Sequence, residues 1–349
     1  MSTRRKPFLG TSTALVVVAL VAAATACVLV AVMASAGAKR AEALPKPSNA
    51  VSNPLTYPSA SSPSNLLPGN IYRAVAKCPV DHQVISGGFE LRVADTPWRI
   101  LDSRPITTQE AGSPNAWVVQ AFLPHNARSR VPFWVDAVCV PESLVPHGSI
   151  DYPDRNIEVP AGDTRELTPD CRPSQLAIGG GFRLDNTALY LIRSQPNPGN
   201  GFGSWIVAVG KKPQGRAGFA AWSVCVRKDL VKDLDHQDRP DSSGGVRGIL
   251  TATARCPQGT YPLSGGGGTS NDNAKKILWT TLRPQWNLPS QQDPIGWNAA
   301  AKDDRTIQIP NITIHAHSMC GELSSPRADG KLSGKNPGWG DGMGGGRFK

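Results

Sequence analysis

Short runs in which apolar and polar residues alternate recur between residues 71 and 322, and Gly, Pro and Asn separate them. In the first part of this region the runs include HQVISGGFELR, AWVVQAF and FWVDAVCV. Alternation with a period of two, together with many β-branched and aromatic residues, is typical of short β-strands. The chain after residue 38 has no long helical periodicity. The pattern therefore predicts an all-β fold.

One order of residues occurs three times: a cysteine, a Gly-Gly doublet nine positions later, a proline, a tryptophan and a closing cysteine. Repeats of this size indicate that the fold is built from copies of one unit. The opening cysteines are Cys78, Cys171 and Cys256, and the closing ones are Cys139, Cys225 and Cys320. The three repeats span about residues 68–141, 160–228 and 246–322.

Six of the seven cysteines are the first and last markers of the repeats, and Cys27 is the seventh. Six cysteines allow fifteen pairings, but the repetition makes pairing within each repeat the simplest arrangement. Each such disulfide would contribute roughly 4 kcal/mol in the chain-entropy model, and disulfides need an oxidising compartment. A zinc site is the alternative, but the chain contains no CxxC pair. The predicted disulfides are Cys78–Cys139, Cys171–Cys225 and Cys256–Cys320.

The glycine doublets lie inside predicted strands, where glycine marks a bulge, a bend or the close approach of another backbone. Because they recur in all three repeats, we expect three sheets to converge there, around a pseudo-threefold axis, where a side chain would not fit. A ligand-binding role is the alternative, but no doublet belongs to a GxxxxGK[ST] motif. The repeated Trp117, Trp205 and Trp297 are expected to pack in the core. The doublets are Gly87/Gly88, Gly180/Gly181 and Gly265/Gly266.

The amino-terminal part contains a run of 21 uncharged residues at 14–34, which is enough to cross a bilayer of about 30 Å. The basic residues before it favour a cytoplasmic amino end. An uncleaved anchor and a cleaved signal sequence both fit, since small residues follow the run. We predict a cytoplasmic basic segment at 1–12, an anchor or signal at 13–38, a Pro/Ser-rich linker at 39–67, a β domain at 68–326 and a Gly-rich flexible tail at 327–349. The β domain is thus expected outside the cell membrane, or secreted if the segment is cleaved.

The net charge of +10 is concentrated at the two ends of the chain. The first 50 residues carry +5 and the tail from Arg327 carries +3, which leaves +2 for residues 51–326. Proteins that bind nucleic acid concentrate basic residues on one face. The predicted β domain shows no such concentration, so nucleic acid is not an expected partner. The membrane is one, through the amino-terminal segment.

The order Cys-Pro, Gly-Gly strand, Ser-x-Pro, Trp and closing Val-Cys resembles repeats of secreted or membrane-anchored actinobacterial proteins. It covers roughly residues 70–322, and the first repeat carries it as CPV, ISGGF, SRP, AW and AVCV. In repeat number, unit size and Cys-to-Gly opening, the chain is also similar to vitelline membrane outer layer protein I, a β-prism linked to carbohydrate. The similarity implies a pseudo-threefold, β-prism-like arrangement of the three repeats. No functional residue is carried over from either resemblance.

The sequence contains few candidate catalytic residues. The six histidines do not recur between repeats, and no GxSxG motif accompanies them. His315 and His317 would share one face of a strand and could bind a metal ion. No carboxylate or third histidine has a matching spacing, which favours an ordinary strand pair. We therefore predict no catalytic residue, no metal and no cofactor, and the residues favour a protein that is not an enzyme.

The turn after each glycine strand carries short polar side chains, and loops on a rigid β scaffold are common binding elements. Tryptophans outside the repeated position offer flat faces on which sugars stack. We predict an extracellular, membrane-anchored or secreted binding module for a cell-envelope glycan or another surface polymer. A structural or protein-interaction component of the envelope is the alternative. The candidate ligand-binding residues are Asp95, Asp185, Asn186, Asp272, Asn273, Trp98, Trp279 and Trp286.

Overall fold

The computed structural model describes nine stretches of the chain. They are residues 53–91, 98–106, 115–127, 130–213, 215–243, 249–269, 277–286, 293–303 and 312–324. The predicted anchor or signal at 13–38 and the tail at 327–349 lie outside them. Within these stretches, no helix has the length and apolar character needed to cross a membrane.

The described residues form an all-β structure, as predicted, in which two 3₁₀ turns at Pro198–Asn200 and Lys228–Leu230 are the helical elements. The strands are β1 (Ser59–Ser61), β2 (Ile71–Lys77), β3 (His82–Glu90), β4 (Arg99–Pro105), β5 (Ala116–Phe122), β6 (Trp134–Pro141), β7 (Ile150–Asp151), β8 (Asp154–Val159), β9 (Thr164–Leu167), β10 (Gln175–Leu184), β11 (Leu189–Pro196), β12 (Trp205–Lys211), β13 (Ala217–Arg227), β14 (Val231–Ser243), β15 (Ile249–Arg255), β16 (Tyr261–Thr269), β17 (Ile277–Gln285), β18 (Gly296–Asp303) and β19 (Ile312–Leu323).

In each repeat, the glycine doublet, the proline, the tryptophan and the closing cysteine lie on four different strands. The glycine strands are β3, β10 and β16, and the proline strands are β4, β11 and β17. The tryptophan strands are β5, β12 and β18, and the closing strands, which end near the second cysteine, are β6, β13 and β19. Each glycine strand pairs with the closing strand of its own repeat, and each proline strand pairs with its tryptophan strand.

Three antiparallel sheets result, and each combines strands from two repeats. Their strand orders are β1-β6-β3-β17-β18-β15, β2-β5-β4-β10-β13-β7 and β14-β19-β16-β11-β12-β9, with β8 also paired to β13. The glycine strand of the second repeat joins the proline strand of the first, and the third repeat joins the second in the same way. The glycine strand of the first repeat joins the proline strand of the third. The pairing of glycine strands with the proline strands of other repeats therefore closes a cycle of three.

The three disulfides pair within repeats, which confirms the prediction. Cys78 is bonded to Cys139, Cys171 to Cys225 and Cys256 to Cys320, with Cα atoms 5.5 to 5.7 Å apart. All three closing cysteines are fully buried. Each bond holds the opening of a repeat against its closing strand.

The glycine doublets are contact points with two different neighbours. A methyl group on Gly180 would overlap the indole ring of Trp205, in the same repeat. One on Gly181 would overlap the backbone carbonyl of Ser103, in the proline strand of the preceding repeat. The same two overlaps occur for Gly87 and Gly88 with Trp117 and Leu282, and for Gly265 and Gly266 with Trp297 and Ser194. These contacts support the packing interpretation of the doublets.

The repeated tryptophans fill the core, as expected: Trp117, Trp205 and Trp297 are each at most 1% exposed. Two of them have their indole N–H satisfied by a serine of the proline strand. Trp117 Nε1 donates to Ser103 Oγ at 3.1 Å, and Trp205 Nε1 donates to Ser194 Oγ at 2.9 Å. Leu282 stands at the equivalent position of the third repeat.

The β domain begins earlier than the predicted boundary at residue 68. Strand β1 lies within the predicted linker and pairs with the closing strand β6. Leu55 and Leu66 are buried in the core, and the backbones of Thr56 and Cys139 exchange two hydrogen bonds of 2.9 and 3.0 Å. Residues 53–67 therefore belong to the folded domain and do not form a tether. Because the segment is rich in Pro and Ser, its few apolar residues do not indicate this in the sequence.

Candidate functional site

The polar residues predicted after the glycine strands are only partly described. Asp95, Asp272 and Asn273 lie outside the described residues. Asp185 and Asn186 are exposed in the turn between β10 and β11. Asn186 Oδ1 accepts a hydrogen bond from the backbone N–H of Ala188 at 2.9 Å, so its side chain stabilises the turn.

The three candidate tryptophans differ in their exposure. Trp98 is 2% exposed, packs edge-on against Phe133 and donates its indole N–H to the carbonyl of Val131. Trp279 is 5% exposed and donates to the carbonyl of Leu191. Both indoles are largely buried, and both also line a small pocket together with Phe89 and Phe182. Trp286 is half-buried.

Trp286 belongs to a polar and aromatic surface formed by two separate parts of the chain. Its ring meets Tyr57 edge-on at 6.2 Å, and the guanidinium of Arg283 lies 5.2 Å from the ring centre. Asn53 Nδ2 donates to the Tyr57 hydroxyl at 3.2 Å and to Asp293 Oδ1 at 2.9 Å. The amide of Asn53 thereby links the two aromatic rings to the carboxylate of Asp293.

Next to this surface, Tyr261 and Asp293 line an open cleft of about 320 Å³ with residues 256–260 and 294–295. Burial raises the pKa of the Tyr261 hydroxyl, and the carboxylates of Asp293 and Glu322 act in the same direction. Tyr261 is therefore a neutral phenol over the physiological range. We call Asn53, Tyr57, Tyr261, Trp286 and Asp293 the aromatic cleft.

A second concentration of functional groups lies on the pair of β14 with β19. Asp238 is directly opposite His317 in the register of this pair. His315 and His236 each lie two residues from one of these, so all four side chains project from the same face. We call Asp238, His236, His315 and His317 the histidine cluster.

The donor atoms of the histidine cluster are close together. Asp238 Oδ1 lies 2.9 Å from His315 Nδ1 and 3.8 Å from His317 Nδ1. His236 Nε2 lies 3.1 Å from His317 Nδ1, and these two rings are stacked with centroids 5.3 Å apart. Ligand atoms of Asp238, His315 and His317 all fall within 4.8 Å of one another, which is a spacing suited to a metal ion.

Burial determines the charge state of the imidazole rings of His317 and His236. His317 is 4% exposed, and burial lowers its pKa to about 4, although the carboxylate of Asp238 acts in the opposite direction. The nearby rings of His236 and His315 and the guanidinium of Arg193 lower it further. Burial also lowers the pKa of His236. Both rings are neutral at pH 7, and each keeps a nitrogen lone pair.

Sequence reasoning found only half of this cluster. The sequence predicts that His315 and His317 share one strand face, but no carboxylate or third histidine lies at a matching spacing near them. Asp238 and His236 lie 77 and 81 residues away from their partners His315 and His317. The segment that holds them, VKDLDHQDRPDSS, is polar and contains Pro240, so its alternation does not indicate a strand. An edge strand tolerates proline, and β14 is at the edge of the third sheet.

No family model matches the chain, and a search of curated proteins finds no similar sequence.

Proposed function

We propose that the β domain is a binding module for a cell-envelope glycan and that it acts outside the cell, anchored to the membrane or secreted. The aromatic cleft is the observation that carries this proposal. Carbohydrate sites combine aromatic faces, on which the apolar faces of sugars stack, with a few polar groups that bind the hydroxyls. Tyr261 and Asp293 line the cleft, and Trp286 contacts Tyr57, which the Asn53 amide links to Asp293.

Each residue of the aromatic cleft has a separate role in this proposal. Tyr261 and Trp286 provide the stacking faces. The exposed carboxylate of Asp293 accepts hydrogen bonds from sugar hydroxyls, and Asn53 holds that carboxylate in place. Arg283 fixes the ring of Trp286 from the sheet side, because it also pairs with Glu90 at 2.7 Å and with Asp136 at 3.5 Å. A fixed aromatic surface loses little conformational entropy when a polymer binds.

The disulfides and the topology are consistent with this setting. Three disulfides in one domain favour an oxidising compartment. The cyclic pairing of glycine and proline strands, at equivalent positions in all three repeats, supports a pseudo-threefold, β-prism-like arrangement. Such a scaffold is rigid and carries its binding groups on loops and strand ends.

The test is binding of the purified full-length chain to isolated cell-wall polysaccharide in a sedimentation assay. We expect Trp286→Ala and Asp293→Asn each to weaken binding about tenfold, which corresponds to roughly 1.4 kcal/mol, the scale of one stacking contact or hydrogen bond. Trp339→Ala removes a tryptophan from the predicted tail and serves as the matched control, with unchanged binding expected.

Equal binding by the wild type and both cleft variants would exclude the aromatic cleft as the glycan site. Binding to the envelope that survives digestion of the polysaccharide but is lost after protease treatment would favour a protein partner instead. In either case the proposal is overturned.

A further inference from the structure

We propose that Asp238, His315 and His317 of the histidine cluster bind a divalent transition-metal ion, with His236 beside them, and that Zn²⁺ is the ion that this chemistry fits best. This site is separate from the aromatic cleft and does not depend on the glycan proposal. The inference rests on the distances between donor atoms, on the types of donor and on the strand pairing that brings them together.

Three distances between ligand atoms of the cluster are close to the edge length of a tetrahedral zinc site. With zinc bonds of about 2.0 to 2.1 Å, two ligand atoms at tetrahedral angles are about 3.3 Å apart. The cluster shows 2.9 Å between Asp238 and His315, 3.1 Å between His236 and His317, and 3.8 Å between Asp238 and His317. The ligand atoms of Asp238, His315 and His317 all lie within 4.8 Å of one another, so small side-chain rotations would place one ion at bonding distance from these three, and His236 lies beside His317.

The donor set selects the class of metal. Two imidazoles and one carboxylate suit zinc and its transition-metal neighbours, with the fourth position open. Mg²⁺ and Ca²⁺ prefer sites composed of oxygen ligands, and this cluster offers one carboxylate. A tetrahedral arrangement of nitrogen and oxygen donors favours Zn²⁺ over Cu²⁺, which prefers a square-planar or tetragonal arrangement.

The neighbouring strand β16 carries glycines opposite the cluster. On the other side of β19, the residues opposite His317 and His315 are Gly266 and Gly268 of β16. A methyl group on Gly266 would overlap the backbone carbonyl of Ser194, and one on Gly268 would overlap Gln195 Oε1. Contacts with β11, rather than the two histidines, therefore account for glycine at these two positions.

The groups around the cluster do not prevent a cation from binding. The guanidinium of Arg193 lowers the pKa of His317, but Arg193 also forms an ion pair with Glu166. Asp235, which accepts a hydrogen bond from Gln237 at 2.5 Å, adds a negative charge near His236. The ring of Phe202 packs edge-on against His236 at 5.8 Å and covers one side. The side chain of Asp238 is 44% exposed, so an ion can enter from its side.

The experiment is a calorimetric titration of the untagged full-length chain, with its disulfides formed, with ZnCl₂. We expect one Zn²⁺ per chain, and we expect Asp238→Asn and His317→Ala each to lower the affinity at least about tenfold, since even residues that only support a ligand contribute that much. His147→Ala is the matched control, because this side chain is 80% exposed, and it should keep the wild-type affinity. Co²⁺ in place of zinc should give the visible absorption of a tetrahedral site in the wild type and lose it in Asp238→Asn.

Circular dichroism checks that each variant is folded. If His317→Ala does not fold, the exposed Asp238→Asn decides the outcome. The proposal is overturned if the wild type binds no Zn²⁺, if the affinity is the same in Asp238→Asn, or if Ca²⁺ binds more tightly than Zn²⁺. The first of these results would leave the four side chains as a hydrogen-bonded network in which His315 Nδ1–H donates to Asp238.

Discussion

Single buried hydroxyls matter in this fold because they satisfy indole groups in the core. Ser194 is 5% exposed and accepts the hydrogen bond of Trp205 Nε1 at 2.9 Å. In Ser194→Ala the N–H would remain buried without an acceptor, and we expect the free energy of unfolding to fall by about 1 to 3 kcal/mol. Urea unfolding followed by tryptophan fluorescence measures this difference.

Ser64→Ala, at an exposed position, is the control and should leave the unfolding midpoint unchanged. A Ser194→Ala chain as stable as the wild type would show that water replaces the hydroxyl. The third repeat already lacks this bond, since Leu282 takes the place of the serine and Trp297 Nε1 has no hydrogen-bond partner in the described part of the chain. The three repeats are therefore equivalent in backbone pairing but not in the satisfaction of their core polar groups.

At the scale of single residues, the sequence predicts the roles of those residues that recur in all three repeats. The three cysteine pairs and the core tryptophans were predicted because equal spacing in three copies points to one structural role. Trp98 and Trp279 have no such repetition, and their burial comes from the packing of strands that are distant in sequence. Tyr57 was missed because it stands in a Pro/Ser-rich segment.

At the scale of the strand, the first glycine of each doublet packs against the core of its own repeat. A methyl group on Gly180 would meet both the ring of Trp205 and the carbonyl oxygen of Trp222, the latter at 2.6 Å. Neither neighbour can move without disturbing the core, so we expect Gly180→Ala to lower the free energy of unfolding by about 1 to 3 kcal/mol, the usual range for overpacking. Thermal unfolding in a calorimeter measures the loss.

The matched control is Gly199→Ala. Gly199 is exposed, and its nearest neighbour would be 3.4 Å from the added methyl group, which is ordinary contact. This variant should unfold at the wild-type temperature. If Gly180→Ala instead kept its stability and lost glycan or Zn²⁺ binding, the doublet would be part of a binding site.

Strand β14 is the element that the sequence does not reveal. Its pairing with β19 joins residues that are 69 to 92 positions apart, and its composition is polar. Local alternation identifies strands with one buried face, whereas an edge strand with charged side chains carries little of that signal. The histidine cluster depends on this pairing, so it was visible only when the register of β14 against β19 was known.

At the scale of the whole molecule, the cyclic exchange of strands makes the repeats dependent on each other. In linear repeat proteins each unit contacts only its neighbours, and shortened arrays still fold. Here the first and third sheets both contain strands of the third repeat. We expect a chain truncated after residue 245 to show no cooperative unfolding transition in calorimetry and to be digested rapidly by protease.

Removal of residues 327–349 is the control for this truncation, because the Gly-rich composition of that segment predicts a flexible tail. It should leave the transition unchanged. A two-repeat chain that unfolds cooperatively would mean that each repeat is a domain in its own right.

The pairing of β3 with β17 also determines when this protein can finish folding during its synthesis. Glu90 and Arg283 form an ion pair across that junction at 2.7 Å, although 193 residues separate them. The ribosome releases the amino end first, so β3 has an unpaired edge until nearly the whole domain has been made. Contacts between such distant residues fold slowly, and unpaired edges are prone to aggregation. The nascent chain therefore needs protection along that edge for most of the time taken to translate the domain.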